Sequence, residues 1–345
     1  MKINCVVAGY GYWGPKLARN LRRHTDCGNI DLCETNLGKG INGREEFPSS
    51  RLFREYDRAL ETEDIHAVLI ATPVASHYPM AKKALLAGKH VLVEKPLALT
   101  LREAGELTDL ADSRGLVLMT DHTFVYHPAV RKIKELVEIG EIGKLHYIDS
   151  VRINLGIIQQ DVNVLWDLAV HDLSIVNFLT DERPRTVQAV GVSHTRNGIE
   201  NIGHLMLNYE SGLFVHVNCS WVSPVKIRHT LIGGDKKMIL YDDLNPSEPV
   251  KLYDATYHPK SEQDMERLLY ECRSGDVTSP RVEQREALEG VVDDFLSCII
   301  KRRQPISDGH FACDIIRLLE SAQRSIKRQG EPINILEPAG STCAT

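Results

Sequence analysis

Apolar and polar residues follow two different patterns along this chain, and the first pattern covers roughly residues 1–122. Short continuous runs of apolar and β-branched residues predict buried strands near 2–8, 29–34, 67–71, 90–94 and 116–120. The segments between them predict helices near 14–24, 76–87 and 100–114. One of these helices has a marked start, because Thr100 and Glu103 have the spacing of a capping box. Alternating strands and helices predict a doubly wound parallel sheet.

After a helix predicted near 129–138, the pattern changes to strands in which apolar and polar residues alternate. These strands are predicted at 144–154, 186–195, 202–209, 213–221, 226–233 and 237–241. Period-two alternation with turn signals between strands is typical of a mostly antiparallel sheet. A helical stretch at 164–179 interrupts the strands, and helices at 283–303 and 309–328 follow them, the last with Asp308 as its cap. The predicted class is therefore α/β, with an open antiparallel sheet in a C-terminal α+β domain.

The first strand runs directly into Gly9-x-Gly11-x-x-Gly14, a pattern typical of a phosphate-binding turn. Glycine permits a tight turn at position 9, backbone approach to a pyrophosphate at position 11, and close helix packing at position 14. Glu34 ends the second predicted strand, 20 positions after Gly14, where a carboxylate meets the ribose hydroxyls of NAD. The pattern predicts an N-terminal Rossmann domain that binds NAD, with NADP disfavoured because the carboxylate repels a 2′-phosphate.

The length of 345 residues favours two domains. We expect an NAD-binding Rossmann domain at 1–123, a substrate-binding and oligomerisation domain at 124–330, and a tail at 331–345. A net charge of −6 without a long basic block argues against nucleic acid or an anionic membrane as partner. The eight cysteines form no C-x-x-C pair and fit a reducing cytoplasm, and no apolar run is long enough to span a bilayer. We therefore expect a cytoplasmic protein.

Two further segments carry candidate chemistry on the Rossmann side. The run from His90 to Pro96 places Glu94 and Lys95 at the carboxyl end of a buried strand, the edge where open α/β sheets bind ligands. A lysine there can hydrogen-bond a substrate hydroxyl and exchange protons, although a strand-end salt bridge is an equally good interpretation. His77 follows the preceding strand, where helix-end packing and ligand contact are both open.

A third segment, Trp166 to Asp172, lies on the helix predicted at 164–179. Asp167 and His171 are spaced i, i+4 and share a helical face, so the carboxylate can orient the imidazole for proton transfer. The same pair could instead be a structural helix contact or two metal ligands. No third ligand has recognisable spacing, so we expect no metal. Asp172 points elsewhere and is expected to be structural.

Together these motifs resemble the Gfo/Idh/MocA oxidoreductases, over roughly residues 1–330. The resemblance rests on the segments Gly9–Gly14, Thr72-Pro73 with His77, Glu94-Lys95-Pro96, and Asp167 with His171. It implies oxidation or reduction of sugars and cyclitols with NAD(H) or NADP(H), and a C-terminal sheet that often forms an oligomer interface. A homodimer or homotetramer is therefore expected.

The resemblance also assigns roles to individual residues. It implies that Lys95, Asp167 and His171 are catalytic. The implied cofactor contacts are Gly9, Gly11, Tyr12, Trp13, Gly14, Glu34, Thr72, Pro73, His77, Glu94 and Lys95. The candidate substrate contacts are Lys95, Arg152, Asn154, Asn163 and His171, with a surface-strand interpretation favoured for Arg152 and Asn154.

The stretch from Tyr147 through His171 is most similar to members that act on nucleotide sugars, in particular the UDP-N-acetylglucosamine 3-dehydrogenase type. Many members have a Gly-Gly pair shortly before the catalytic aspartate, whereas this chain has Asp161-Val-Asn163-Val-Leu-Trp166. The expected partner is thus a sugar or nucleotide sugar. The alternatives are a dehydrogenase of inositol or another free polyol, and a catalytically silent NAD-binding regulator, which has no reason to retain Lys95, Asp167 and His171.

Overall fold

The computed structural model describes residues 2–156, 158–196, 198–259 and 270–335. Contacts divide the chain into two compact units: Met1–His127 with Arg285–Arg317, and Pro128–Gln284 with Leu318–Thr345. The segment after Gln284 thus returns to the N-terminal unit before the chain rejoins the second one. The domain boundary predicted between residues 123 and 124 stays a prediction.

The first unit contains a parallel sheet whose described strands have the order β3-β2-β1-β4-β5-β6. Its strands are β1 Ile3–Ala8, β2 Cys27–Cys33, β3 Leu52–Phe53, β4 Ala67–Ile70, β5 His90–Glu94 and β6 Leu118–Asp121. Val6, Val7 and the whole of β4 are buried, as expected for strands that are covered on both faces. The order is that of the classical dinucleotide-binding fold, so the predicted Rossmann class is confirmed.

Helices α1 to α5 belong to this unit, together with α8 Ala287–Lys301. The first five are α1 Gly14–Arg23, α2 Leu37–Glu46, α3 Tyr56–Leu60, α4 His77–Leu86 and α5 Leu101–Arg114. The capping box is confirmed in part, because the Thr100 hydroxyl accepts the Glu103 amide at 3.2 Å. The sequence prediction missed β3, α2 and α3. Helix α2 has few apolar residues and three glycines, so it lacks an amphipathic signal, and its start is fixed by the Asn36 side chain.

The second unit contains a sheet whose described strands have the order β14-β13-β12-β11-β7-β10-β9-β8-β15. The strands are β7 Leu145–Leu155, β8 Thr186–Val192, β9 Ile202–Asn208, β10 Phe214–Ser220, β11 Val222–Gly234, β12 Met238–Asp242, β13 Val250–Pro259, β14 Tyr270–Thr278 and β15 Ile333–Asn334. All described pairings are antiparallel except β7 with β10, which confirms the predicted mostly antiparallel sheet. Burial alternates along β9, so one face is covered and the other is more open.

Helices α6 Pro128–Glu138 and α7 Val170–Leu179 pack together in the second unit, and α9 Gly309–Lys327 begins in the first unit and ends in the second. Asp308 accepts the Phe311 amide at 2.8 Å, which confirms the predicted cap of α9. Strands β13 and β14 were missed. Residues 333–334, assigned from sequence to a tail, pair with β8, and residues 336–345 lie outside the described part of the chain.

Candidate active site

The glycine turn after β1 has the geometry that a pyrophosphate site requires. Gly9 has φ +92°, and a Cβ there would lie 2.7 Å from the carbonyl oxygen of Ala71. A Cβ at Gly14 would overlap the Gly9 carbonyl oxygen, whereas one at Gly11 would meet only open space. The turn therefore leaves room for a ligand at Gly11 and begins α1 directly behind it, which fits the phosphates of a dinucleotide.

Glu34 follows β2 and is tied to the glycine turn. One carboxylate oxygen accepts the Tyr10 amide at 2.7 Å, and the other accepts the Asn36 amide at 2.8 Å. These two bonds fix the carboxylate at the edge where the adenosine half of a dinucleotide lies in this fold. In this fold a carboxylate after the second strand is the group that meets the ribose hydroxyls of NAD, so the position of Glu34 fits NAD better than NADP.

Tyr12 and Trp13 stand at the open side of the turn, with exposed fractions of 73% and 38%. Their rings meet edge to face, and the Lys16 ammonium lies 3.6 Å from the centroid of Tyr12 and 4.2 Å from that of Trp13. Hydrogen bonding to Lys16 lowers the pKa of Tyr12. Lys16 was missed in the sequence analysis, although a lysine in the first turn after Gly14 was a usable signal.

The segment after β4 is held by side-chain bonds to the main chain. The Ser76 hydroxyl donates to the Thr72 hydroxyl at 2.7 Å and lies 2.6 Å from the Pro73 carbonyl oxygen. His77 is buried, and its ring nitrogens lie 2.7 Å from the Pro96 carbonyl oxygen and 2.8 Å from that of Thr72. Burial lowers the pKa of His77, while these two carbonyls act in the opposite direction. His77 thus joins the segment after β4 to the segment that carries Lys95.

Glu94 and Lys95 lie where the sequence places them, at the carboxyl end of β5. Glu94 is buried and Lys95 is partly exposed. Glu94 is directly opposite Asp121, the last residue of β6, which is also buried. Asp121 was missed, although it immediately follows a strand predicted at 116–120 and so lies at the same sheet edge.

Asp167 lies in a short π-helical segment, Leu165–Ala169, which leads directly into α7 and His171. Such wide turns are frequent at functional sites. One Asp167 carboxylate oxygen accepts the indole N–H of buried Trp221 at 3.0 Å. Asp167 and His171 are each partly exposed. This unit therefore presents a carboxylate and an imidazole on one helical segment, and Trp221 is a support that sequence reasoning missed.

Arg152 and Asp172 form a buried ion pair in the same unit. Arg152 Nε lies 2.8 Å from Asp172 Oδ2, and Arg152 Nη2 lies 2.9 Å from Asp172 Oδ1. The Ser150 hydroxyl donates a further bond to Asp172 at 2.8 Å. Burial lowers the pKa of Arg152, but the charge and hydrogen bonds of Asp172 outweigh this effect and raise it overall. The pair fastens the start of α7 to β7, beside His171.

Asn163 is buried and caps the helical segment that follows it. Its side-chain oxygen accepts the amides of Leu165 and Trp166, while its nitrogen donates to Glu200 and Gln323. These four bonds use the full capacity of the amide, so we assign it no role in substrate binding. Asn154 is partly exposed and lies on the same face of β7 as Arg152, two residues further along. Asn154 therefore remains a candidate substrate contact.

Within the described ranges, no three His, Cys, Asp or Glu side chains are grouped so that they could hold a metal ion. No helix in this part of the chain is both long and apolar enough to cross a bilayer.

The parallel sheet, the glycine turn and the carboxylate after β2 define an NAD-binding oxidoreductase fold. Residues 3–122 match a family model described as an oxidoreductase family with an NAD-binding Rossmann fold, and residues 130–240 match the GFO/IDH/MocA C-terminal domain. The chain belongs to the Gfo/Idh/MocA oxidoreductase family.

Two curated relatives are named as enzymes of nucleotide sugars. A dTDP-3,4-didehydro-2,6-dideoxy-alpha-D-glucose 3-reductase from Streptomyces violaceoruber is 36% identical over 163 residues, which is 44% of this chain and 47% of that protein. The chain thus aligns with about half the length of that relative. A UDP-N-acetylglucosamine 3-dehydrogenase from Acidithiobacillus ferrooxidans is 28% identical over 268 residues, covering 75% of this chain and 77% of the relative.

Solved structures share the fold. UDP-N-acetylglucosamine 3-dehydrogenase GnnA from Acidithiobacillus ferrooxidans superposes with a TM-score of 0.79 at 23% identity, covering 95% of this chain and 99% of that one. GenD2 from gentamicin A biosynthesis, solved in complex with NAD, gives a TM-score of 0.80 at 22% identity and 96% coverage of both chains. The predicted family, the oxidoreductase class and the NAD cofactor are confirmed.

Proposed function

We propose that the protein is an NAD-dependent dehydrogenase that oxidises a secondary alcohol on the ring of a nucleotide-activated sugar, at C3 of a UDP-N-acetylglucosamine-like substrate. The observation that carries the proposal is the Asp167 and His171 segment in a chain whose other unit binds NAD. The named activities of two relatives, a 3-reductase of a dTDP-sugar and a 3-dehydrogenase of a UDP-sugar, support the substrate class and the position.

Each catalytic residue has a distinct role in the proposal. His171 removes the proton of the sugar hydroxyl, and Asp167 orients its imidazole and stabilises the imidazolium that forms. Lys95 donates a hydrogen bond to the developing alkoxide. Bound NAD supplies the hydride acceptor, and Glu34 and the glycine turn hold its adenosine and pyrophosphate. In the reverse direction His171 returns the proton to a ketone.

Asn154 is proposed as a substrate contact, because it lies on the Arg152 face of β7 and is not buried. Trp221 is proposed to hold the Asp167 carboxylate in the orientation that His171 needs. Arg152 and Asp172, the residue after His171, are proposed to fix the start of α7 to the sheet. The substrate therefore meets groups whose positions are set before it binds.

The experiment that tests the proposal is an absorbance assay of NADH formation with UDP-sugars, dTDP-sugars, free hexoses and inositol. Activity restricted to a nucleotide sugar, with a 3-keto product by mass spectrometry and NMR, is the expected result. Higher kcat/KM on inositol or a free hexose overturns the substrate class. A protein that binds NAD but turns over no member of the panel contradicts the proposed reaction on these substrates.

Variants in the same assay test the assignments. His171→Ala is expected to lose turnover but keep NAD affinity, and Lys95→Met is expected to lose turnover. His229→Ala is a matched control, because His229 is a partly exposed histidine that pairs with Asp242 on the second sheet. Equal loss of turnover in His229→Ala and His171→Ala would contradict the role of His171.

A further inference from the structure

Two buried acidic side chains meet at the carboxyl edge of the parallel sheet, where the mechanism above uses neither as an acid or base. Glu94 ends β5 and Asp121 ends β6, and the two residues are register partners. The two residues are 7% and 1% exposed, so both carboxyl groups are withdrawn from solvent. Two ionised carboxylates cannot hydrogen-bond each other, because neither has a hydrogen to donate.

Within the part of the chain that the structure describes, the hydrogen bonds of the Glu94 and Asp121 carboxyl groups leave one oxygen of each group without a donor. Asp121 Oδ1 accepts the Thr123 hydroxyl at 2.7 Å, but buried Asp121 Oδ2 and Glu94 Oε1 have no donor among the described residues. A single proton held between the two carboxyl groups supplies a donor to one and an acceptor to the other. The pair then carries one negative charge in place of two, which burial strongly favours.

The charged surroundings agree with this protonation state. Burial and the Asp121 charge raise the pKa of Glu94, and burial raises the pKa of Asp121 to about 6. The Lys95 ammonium acts on both carboxyl groups in the opposite direction. His122 follows Asp121 but does not add a positive charge, because burial lowers its pKa to about 3. Both shifts favour the retention of a proton by the pair.

The position of the pair connects it with the cofactor. In a sheet of this strand order a dinucleotide lies across the carboxyl edge, with one nucleotide on each half. Glu34, after β2, marks the adenosine half, so the nicotinamide half belongs to β4, β5 and β6. The nicotinamide ring is positively charged in NAD⁺ and neutral in NADH, and a positive charge favours ionisation of a nearby carboxyl.

We propose that Glu94 and Asp121 form a proton-sharing carboxyl pair that releases its proton when NAD⁺ binds and retains it when NADH binds. The Glu94 O–H bond breaks and its proton leaves for solvent as the positive ring arrives, so the hydrogen bond that this proton made to Asp121 is lost, and no other covalent bond changes. When the ring loses its charge by accepting a hydride, the pair takes up one proton from solvent. Lowering the pH therefore favours bound NADH over bound NAD⁺, by up to tenfold per pH unit while one proton is linked.

The test is isothermal titration of NAD⁺ and NADH into the purified protein at several pH values, in buffers of different ionisation enthalpy. The dependence of the observed heat on the buffer gives the number of protons released. For the native protein we expect release of a substantial fraction of one proton with NAD⁺ near neutral pH, and none with NADH. Equal release with both cofactors, or none with either between about pH 5.5 and 8, overturns the proposal.

Two isosteric variants locate the proton. In Glu94→Gln the amide can donate permanently to Asp121, and in Asp121→Asn the amide can donate to Glu94, so both variants are expected to bind NAD⁺ with less than half the native proton release. Glu106→Gln is the matched control, because Glu106 is a more exposed carboxylate of the same unit paired with Lys82. Native release in both pair variants contradicts the assignment. The readout requires no substrate, so a wrong substrate class leaves its outcome unchanged.

Discussion

The buried pair of Arg152 and Asp172 gives the most direct test of how the second unit holds His171. The perturbation is Arg152→Met, which keeps much of the side-chain volume but leaves the Asp172 carboxylate buried with only a hydroxyl donor, Ser150, among the contacts described above. The side chains of the pair are 3% and 1% exposed, so solvent cannot replace the lost guanidinium. Removing one partner of a buried ion pair costs about 3–5 kcal/mol.

The assay is urea unfolding followed by far-UV circular dichroism and tryptophan fluorescence, with the free energy of unfolding taken from each transition. Asp172→Leu is expected to cost a similar amount, because it leaves the arginine charge buried. The double variant replaces both charges with apolar groups and is expected to lose much less than the two single variants together, with a coupling of about 3 kcal/mol. Residual kcat should fall with Arg152→Met, since α7 loses its attachment beside His171.

Arg185→Met serves as the comparison. Arg185 pairs with Glu210 at 3.6 Å with both side chains largely exposed, so its loss should cost less than about 1 kcal/mol. If Arg152→Met costs no more than Arg185→Met, or if the two single effects simply add in the double variant, the buried pair does not stabilise the unit as argued.

Three further variants test other parts of the site. His171→Ala should lower kcat by about 10²- to 10⁴-fold at unchanged NAD affinity, measured by steady-state kinetics and calorimetry, and a smaller loss would remove it as the base. Asn163→Ala should lower the unfolding free energy by about 0.5–2 kcal/mol through loss of the cap; no change in urea midpoint would contradict this. His90 accepts the Val117 amide through Nδ1, and burial lowers its pKa to about 4. Because the unfolded chain then binds more protons, His90 should contribute a loss of stability as the pH falls from about 6.5 to 4, by at most about 1.4 kcal/mol per unit, and His90→Gln should reduce that slope in urea titrations.

Features that are set by residues close together in sequence could be predicted from the sequence. The glycine turn needs positive φ at Gly9 and no side chain at Gly14, and both requirements are met by residues within one short segment. The parallel strands were predicted because burial on both faces leaves continuous apolar runs. The fold class and the cofactor therefore follow from local patterns.

Contacts between residues that are far apart in sequence could not be predicted from the sequence. Trp221 reaches Asp167 across 54 positions, and nothing in the spacing of either residue indicates the other. Asp121 was visible as a strand end but became informative only when register placed it opposite Glu94. Helix α2 was missed because its stability does not come from a continuous apolar face.

Asn163 shows why a residue type alone cannot distinguish a ligand contact from a structural role. Asn163 was predicted to be a candidate substrate contact, in a segment where many family members have a Gly-Gly pair. The structure gives that amide two main-chain donors and two side-chain acceptors, so Asn163 fixes the start of the π-helical segment that presents Asp167. The number of hydrogen bonds that the Asn163 amide already makes decides between a substrate contact and a structural role. One of its partners is Gln323, 160 positions away in sequence. The same count leaves Glu94 Oε1 and Asp121 Oδ2 without a donor among the described residues, which is why this pair, and not Asn163, is the place where the structure requires a further proton.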